Sequence, residues 1–289
     1  TVQLSRLGPH MGIAAEGVDL ATPPDSDTVG ELRRALLDGL VLCIRGRPLP
    51  PDSYVAAMAP FGAARSQLGL HRRHPDRAGI MILSSEDRDA LGDGGRIVVG
   101  AAWHTDDSFM AVPCSLTILH GVEVPEAGGD TQFVNMYAAY EALSPAFKAM
   151  IEPLNVVHSA TRIFGSAYLA QGRRFNSSGT RTDLDVEKGD REVSHPLVCT
   201  HARSGRKFLY LNKTYSQRIE GFTNEESAPL LGHLHEHCSR FDFSCRVRWR
   251  KDQVLIWDNR CTMHRAIPDY TGQDRTMTRV TIAGPRPAR

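Results

Sequence analysis

The chain has few of the features that mark membrane, secreted or nucleic-acid-binding proteins. Its 289 residues contain no apolar run of about 18, the length that a transmembrane helix needs. Lys and Arg number 34 against 33 Asp and Glu, and a formal net charge of +1 gives no support to a nucleic-acid or membrane partner. Residues 1–20 lack the basic start and apolar core of a signal peptide, so we expect a cytoplasmic protein.

Cysteine is also sparse. The six cysteines are scattered along the chain and form no CxxC pair. In a cytosolic chain this pattern predicts reduced, mostly buried thiols, and it argues against a zinc site built on thiolates. The length suits one large domain or two small ones, and we expect a single domain over residues 1–289.

The apolar periodicity predicts many short strands and a few helices. Helices are expected at residues 25–40, 51–62, 137–150 (with a fresh start at Ser144-Pro145) and 224–238, the last with Thr223 and Glu226 as a capping box. A hairpin is expected in residues 2–20, and strands at 40–44, 79–83, 115–119, 131–134, 195–199, 208–211, 246–249, 254–257 and 276–283. This mainly β chain with flanking helices (α+β) favours a double-stranded β-helix, or jelly-roll, core.

Residues 159–192 differ from their surroundings. They are rich in Arg, Gly, Ser and Asp and show no clear period. Long loops in compact domains are usually functional or disordered, so we interpret this segment as a mobile loop or lid inserted between core strands. Its arginines Arg162, Arg173 and Arg174 either help to bind an anion or belong to an exposed charged loop.

The segment 103–109 (WHTDDSF) carries the clearest chemistry. His104 and Asp106 are two residues apart, and on an extended strand such side chains leave the same face and can hold one metal ion. His264, which follows a predicted strand and a polar turn in residues 257–264 (WDNRCTMH), is the candidate third ligand. Two histidines and one carboxylate with an open face form the ligand set of non-haem Fe(II) oxygenases. A structural role for any one histidine remains the alternative.

Two arginines follow the candidate third ligand. Arg275 and Arg279 alternate with Thr276, Thr278 and Val280, so on a strand both guanidinium groups face one side. Burying two such groups without anionic partners is costly, which predicts a pocket for carboxylates or similar anions. A strand with one solvated face is the alternative.

Taken in order, these motifs resemble the TauD/TfdA family of Fe(II)- and 2-oxoglutarate-dependent dioxygenases over roughly residues 2–284. The resemblance rests on five stretches of the chain: WHTD at 103–106, GGDT at 128–131, HPLV at 195–198 with TH at 200–201 and SG at 204–205, WDNR at 257–260 leading to His264, and the pair Arg275 and Arg279.

The resemblance implies that His104, Asp106 and His264 hold Fe(II) and leave three positions for the 2-oxo acid head of 2-oxoglutarate and for O2. The cosubstrate is converted to succinate and CO2 while a C–H bond of the primary substrate is oxidised. The cofactor supplies this chemistry, and no catalytic side chain beyond the ligands is implied.

The resemblance also implies roles for residues around the metal. Arg275 would pair with the distal carboxylate of 2-oxoglutarate, helped by the Thr131 hydroxyl, because a planar fork binds a carboxylate through two hydrogen bonds. Arg279 would lie nearer the iron and contact the proximal carboxylate or an anionic group of the substrate. The implied substrate is small and anionic, such as a sulfonate, a carboxylate, an aryloxyalkanoate or a sulfate ester. Relatives are often oligomers, so we expect a homo-oligomer.

Four further residues are candidate substrate contacts. His71 and His74 occupy the approximate region where relatives contact substrate. Phe109 is expected at the pocket wall, with core packing as the alternative. Asp107 follows the carboxylate ligand and either approaches a cationic or hydrogen-bond-donating substrate group or is solvated.

Two other functions remain open from the sequence. One is a catalytically silent jelly-roll protein that binds an anionic metabolite. The other is a hydrolytic or isomerising enzyme with zinc at the same three ligands. A second histidine cluster, at positions 233, 235 and 237 of a predicted helix, is interpreted as part of a solvated helix face and not as a metal site.

Overall fold

The computed structural model describes residues 2–65, 73–86, 88–89, 98–170, 175–176 and 186–289. Within these ranges no helix has both the length and the apolar character needed to cross a membrane. The α-helices found there are α1 (Ser26–Gly39), α2 (Pro51–Met58), α3 (Met136–Glu141), α4 (Pro145–Ile151), α5 (Thr161–Phe164), α6 (Ser166–Ala170), α7 (Val186–Asp190) and α8 (Asn224–Cys238).

Strands outnumber helices and form five sheets in the described ranges. In chain order they are β1 (Gln3–Arg6), β2 (Ile13–Glu16), β3 (Val41–Arg45), β4 (Arg73–His74), β5 (Arg77–Ser84), β6 (Arg88–Asp89), β7 (Cys114–Glu123), β8 (Thr131–Asn135), β9 (Asn155–His158), β10 (Phe175–Asn176), β11 (Val193–Pro196), β12 (Val198–Thr200), β13 (Lys207–Leu209), β14 (Ser216–Ile219), β15 (Ser244–Val247), β16 (Gln253–Asp258), β17 (Thr262–Ala266) and β18 (Thr276–Ala283).

The largest sheet has eight strands in the order β1-β2-β3-β16-β7-β18-β5-β4. Side chains alternate between its two faces. On one face, Ile118, Ile256 and Val280 pack against apolar residues of α1 and α2, such as Leu32 and Met58. This cluster of buried residues anchors the two N-terminal helices on the outer side of the sheet.

The opposite face of the large sheet packs against the smaller sheets. Leu119, Leu255 and Met277 belong to a second cluster that also contains Phe133 of β8 and Val247 of β15. The smaller sheets have the strand orders β15-β8-β17, β11-β9-β14 and β12-β13, with a separate β6-β10 pair. The candidate metal ligands lie on this inner side, because His264 of β17 is paired with Phe133.

Most of the predicted elements are confirmed. Helix α1 begins after Asp25, whose carboxylate accepts from the Thr28 amide, and α8 has the capping box of Thr223 and Glu226. The predicted fresh start is the cap of α4 by Ser144. All six cysteines are buried and unpaired.

Six strands were not predicted, and the longest of them are β9, β14 and β17. They are four or five residues long and contain polar side chains, so their apolar alternation is too short to distinguish them from turns. The omission of β17 matters most, because it carries His264.

The interpretation of residues 159–192 as a loop was wrong in part. Three short helices, α5, α6 and α7, lie in this segment. The Asp190 carboxylate joins them, since it accepts from the Thr161 hydroxyl at 2.6 Å and the Ser166 amide at 2.8 Å. Helices of four or five residues are too short for a periodic pattern. Residues 171–174 and 177–185, which include Arg173 and Arg174, lie outside the described residues.

Candidate active site

The three predicted metal ligands meet in the structure. One ligand atom each from His104, Asp106 and His264 lies within 4.8 Å of the other two, and all three residues are buried. No other group of three or more His, Cys, Asp or Glu side chains in the described ranges is placed to hold a metal ion. The backbones of His104 and His264 form an isolated antiparallel bridge, with N–H···O distances of 3.0 and 2.8 Å. This bridge joins the two halves of the site across a long separation in sequence.

Residues 103–109 do not form an extended strand, the geometry on which a shared face for His104 and Asp106 was argued. Only His104 makes a bridge, and the chain then turns, with Asp107 in the left-handed region at φ 57°. The turn still brings Asp106 back towards the imidazole, so that His104 Nε2 lies 3.6 Å from Asp106 Oδ1. Thus the ligands converge through a turn that is fixed by tertiary contacts and not through the alternation of a strand.

The protonation states of the ligands suit a divalent metal. His104 Nδ1 lies 2.8 Å from the Ala102 carbonyl, which can only accept, so Nδ1 carries a hydrogen and Nε2 is the ring nitrogen available to a metal. Burial, followed by the field of His104, lowers the pKa of His264 to about 3, which keeps this imidazole neutral. Burial alone would raise the pKa of the Asp106 carboxyl, but Arg279 and the two imidazoles hold it well below its usual value. Two neutral imidazoles and one carboxylate are the donors that Fe(II) oxygenases use.

A chain of hydrogen bonds reaches Asp106 from the large sheet. The Thr117 hydroxyl on β7 donates to Asp106 Oδ2 at 2.6 Å. Asn259 Nδ2 donates to the same hydroxyl oxygen at 2.7 Å, and Trp257 Nε1 donates to Asn259 Oδ1 at 3.0 Å. The sequence analysis assigned no role to Thr117. Its only sequence signal is a hydroxyl in a predicted apolar strand.

The His264 imidazole is held by aromatic packing. Its ring centroid lies 4.7 Å from that of Trp257, 6.0 Å from that of Phe133 and 4.1 Å from that of His104. His264 Nδ1 has no hydrogen-bond partner among the described residues. Ring packing therefore sets the orientation of this ligand.

Arg275 is a buried guanidinium at the edge of the same site. Arg275 immediately precedes β18, so it does not lie within the strand on which the two arginines were expected to share a face. Burial lowers its pKa, against the opposing fields of Tyr270 and Asp130. Its Nε atom has no hydrogen-bond partner among the described residues. Arg275 also forms no ion pair with any of those residues. A buried cation without an ion pair among the described residues is suited to bind an anion.

Arg275 and Thr131 contact the same indole. Trp249 Nε1 donates to Thr131 Oγ1 at 2.9 Å, and the Arg275 guanidinium carbon lies 6.0 Å from the Trp249 ring centroid. Gly129 has φ 68°, and a Cβ there would lie 3.4 Å from Arg275 Cδ and 3.2 Å from Tyr270 Cδ1. The turn before β8 therefore needs glycine both for its backbone angle and for room beside the arginine.

Arg279 and Asp107 form a second charged group beside the ligands. Arg279 Nη1 donates to Asp106 Oδ1 at 3.1 Å. Asp107 is partly buried, and its Oδ2 lies 3.6 Å from Nη1 of Arg65, a residue not singled out from the sequence. Burial raises the pKa of Asp107, and the neighbouring Asp106 adds to the rise against the fields of Arg279 and Arg65. Asp107 is thus a partly buried member of a charge network with Arg65 and Arg279.

Phe109 packs in an aromatic cluster. It is 5% exposed, and its ring centroid lies 5.4 Å from Phe164 of α5 in an edge contact and 5.0 Å from Tyr215. Burial, followed by the fields of Asp106 and Asp107, raises the pKa of Tyr215. The sequence analysis missed Phe164 and Tyr215, because only tertiary structure brings them to Phe109.

For His71 and His74, the structure does not test the predicted substrate contacts. His71 is outside the described residues. His74 is in β4, where its Nδ1 accepts from the Asp76 amide at 3.2 Å. Arg162 lines a cleft with Asp190 and Arg218.

The second histidine cluster, at positions 233, 235 and 237, is less exposed than expected. His237 Nε2 bonds the Ala139 carbonyl at 2.7 Å, and burial lowers the pKa of His235 to about 4. The interpretation of these histidines as a solvated helix face was therefore wrong for His235 and His237.

Comparison with known proteins agrees with this site. A family model described as taurine catabolism dioxygenase TauD, TfdA family, matches residues 3–281. The α-ketoglutarate-dependent 2,4-dichlorophenoxyacetate dioxygenase of Cupriavidus pinatubonensis is 32% identical over 278 residues, which cover 92% of each chain. The alkylsulfatase of Acinetobacter baylyi is 30% identical over 295 residues, which cover 98% of this chain and 85% of the relative.

Solved structures give the same result. A taurine dioxygenase from Burkholderia xenovorans superposes with a TM-score of 0.80 at 30% identity, covering 99% of this chain and 92% of its own. AAD-2 in complex with Mn(II) and N-oxalylglycine gives a TM-score of 0.79 at 28% identity, with both chains fully covered. The sheet-rich fold with helices is therefore close to that of taurine dioxygenases. The chain belongs to the TauD/TfdA family and is an oxidoreductase that depends on Fe(II), 2-oxoglutarate (α-ketoglutarate) and O2.

Proposed function

We propose that this dioxygenase oxidises a C–H bond of a small anionic substrate from the group of sulfonates, carboxylates, aryloxyalkanoates and sulfate esters. Relatives that are 30–37% identical to this chain are named as dioxygenases of 2,4-dichlorophenoxyacetate, of sulfate esters and of sulfonates. These substrates share one anionic group and an apolar body. The observation in this chain that supports the proposal best is a guanidinium, Arg279, bonded to the candidate ligand Asp106.

We assign the metal to His104, Asp106 and His264. When bound there, Fe(II) with 2-oxoglutarate supplies the O2 activation that oxidises the substrate, with succinate and CO2 as the other products. His264 presents a neutral nitrogen and Asp106 an ionised carboxylate, so neither of these two ligands has to lose a proton at neutral pH before the site binds metal.

We assign Arg275 and Thr131 to the distal carboxylate of 2-oxoglutarate. The buried guanidinium lacks an ion pair among the described residues, and Trp249 joins it to the Thr131 hydroxyl. N-oxalylglycine, which is bound to AAD-2 with Mn(II), carries the same two carboxylates as 2-oxoglutarate. Arg279 then remains for the proximal carboxylate or for the substrate anion.

We place the substrate body against Phe109, Phe164 and Tyr215. These rings pack together, and Phe109 follows the candidate ligand Asp106 by three residues. Asp107 is a weaker candidate for direct contact, since Arg65 already pairs with it. Contacts from His71 and His74 stay predictions.

We further propose that the sheets form a double-stranded β-helix core in a single domain over residues 1–289. Residues 159–192 would act as its lid, because Phe164 of α5 reaches the aromatic wall. A homo-oligomer of this domain also stays a prediction. Membership of the dioxygenase family argues against the silent binder and against the zinc enzyme.

Succinate release over a panel of anionic substrates tests the proposal. We expect substrate-dependent succinate formation with at least one member of the four classes and none in His104→Ala. A protein that binds Fe(II) and 2-oxoglutarate but oxidises only uncharged substrates would contradict the proposed substrate class. Unchanged turnover in His104→Ala would contradict the ligand assignment.

A further inference from the structure

Asp106 differs from the two imidazoles in how it is held. The His104 ring bonds the Ala102 carbonyl and the His264 ring packs between aromatic side chains. A carboxylate has no such ring and rotates about its Cβ–Cγ bond unless its oxygens are bonded. In this site each oxygen has its own donor, Arg279 Nη1 on Oδ1 and Thr117 Oγ1 on Oδ2.

The donor on Oδ2 has a fixed direction. An indole N–H can only donate, so Trp257 identifies the Asn259 atom that it contacts as the amide oxygen. Asn259 must then present its NH2 group to Thr117 Oγ1. The Thr117 hydroxyl has one hydrogen, and since its oxygen accepts from Asn259, that hydrogen points to Asp106.

The three supporting residues are rigid and sealed from solvent. Thr117, Asn259 and Trp257 are 0%, 1% and 1% exposed. Thr117 and Trp257 are paired neighbours on β7 and β16 in the middle of the large sheet. No bulk water reaches this position to replace a lost hydroxyl.

We propose that Thr117 is a positioning residue for the iron site, and that the one-way chain Trp257–Asn259–Thr117 fixes the Asp106 carboxylate in its ligating orientation. This inference rests on the proposed metal assignment. Trp257 also packs on the His264 ring, so one side chain supports two of the three ligands. The remaining lone pairs of Asp106 are then directed at the metal before it binds.

Mn(II) affinity without cosubstrate or O2 tests this role directly. Titration of the purified protein with Mn(II), followed by electron paramagnetic resonance of the free ion, gives a dissociation constant that does not depend on turnover. Removing a group that orients a metal ligand typically weakens metal binding about 10- to 100-fold. We expect that loss in Thr117→Val, which keeps the side-chain shape, and recovery towards wild type in Thr117→Ser.

Ser115→Ala provides the matched control. Ser115 lies two residues earlier on β7, and its hydroxyl donates to the Ile282 and Ala283 carbonyls and not to the ligand network. We expect this variant to bind Mn(II) like the wild type. Trp257→Phe keeps a ring beside His264 but removes the indole donor, so we expect weaker Mn(II) binding there as well.

The outcomes separate the inference from the proposed function. Equal Mn(II) affinity in the wild type and a folded Thr117→Val variant would overturn the positioning role. Failure of Thr117→Ser to recover affinity would overturn it too. A wild-type protein that binds no Mn(II) would instead contradict the metal assignment itself. Thermal unfolding of each variant without metal verifies that the fold is retained.

Discussion

Arg275 leads to a prediction about both stability and binding. Its guanidinium is 6% exposed, has no ion pair within the described ranges and has a lowered pKa because of burial. A buried charge without a partner destabilises a folded protein, and apolar replacement of buried charges is often neutral or stabilising. Arg275→Met should therefore raise the melting temperature of the metal-free protein. The same change should remove the anchor for 2-oxoglutarate.

The loss of 2-oxoglutarate affinity in Arg275→Met follows from the removal of one partner of a buried charged pair. Truncating one partner of a buried charged pair costs about 2–5 kcal/mol, which is roughly 30- to 4,000-fold in the dissociation constant. In the Mn(II)-loaded protein, 2-oxoglutarate at 100 times its wild-type dissociation constant should stabilise the wild type by about 2.7 kcal/mol. In Arg275→Met this stabilisation should fall to about 0.9 kcal/mol if affinity drops about 30-fold, and to almost zero if it drops about 4,000-fold.

Thermal unfolding with and without 2-oxoglutarate, under anaerobic conditions, measures both effects. Arg218→Met is the matched control, since Arg218 makes a bidentate pair with Glu192. Arg218→Met should lower the melting temperature slightly and keep the full increase in melting temperature that 2-oxoglutarate produces. An Arg275→Met protein that retains the wild-type shift would refute the assignment of this guanidinium to the cosubstrate.

Two further predictions concern the aromatic wall and acid stability. Phe164→Ala opens the aromatic wall beside Phe109, so the KM of bulkier aryloxyalkanoates should fall relative to the KM of small sulfonates. The affinity for 2-oxoglutarate should stay unchanged. An unaltered ranking of substrates by KM would contradict the assignment of Phe164 to the substrate pocket. Burial lowers the pKa of His235 to about 4, below its value of about 6.5 in an unfolded chain, so the unfolded state binds the extra proton. The free energy of unfolding should therefore decrease as pH falls from about 6.5 to about 4, by up to about 1.4 kcal/mol per pH unit from this group. His235→Gln should reduce that slope in urea titrations, and an identical slope would contradict the buried neutral state.

The fold and the ligands could be predicted from the sequence where local patterns carry the information. The capping box predicts helix α8, and the WHTD motif with the distant His264 predicts the metal ligands. The geometry behind the ligands could not be predicted in the same way. Thr117 differs from any other strand threonine only because β7 lies beside the turn that carries Asp106.

Tertiary neighbours also decide the state of the charged residues. Asp107 was expected to be solvated or to approach the substrate, but the turn at φ 57° places it beside Arg65 and Arg279. Phe164 lies in a segment whose composition predicts a loop, and α5 brings it to Phe109. Such contacts depend on the packing of elements that are distant in sequence, which periodicity does not encode.

The central claim is that His104, Asp106 and His264 bind Fe(II) so that 2-oxoglutarate can join the same metal. Anaerobic addition of Fe(II) and then 2-oxoglutarate, followed by visible absorption, tests it most directly. We expect a weak metal-to-cosubstrate charge-transfer band in the wild type and the loss of this band in His104→Ala. No band in the wild type, or an equal band in the variant, would contradict it.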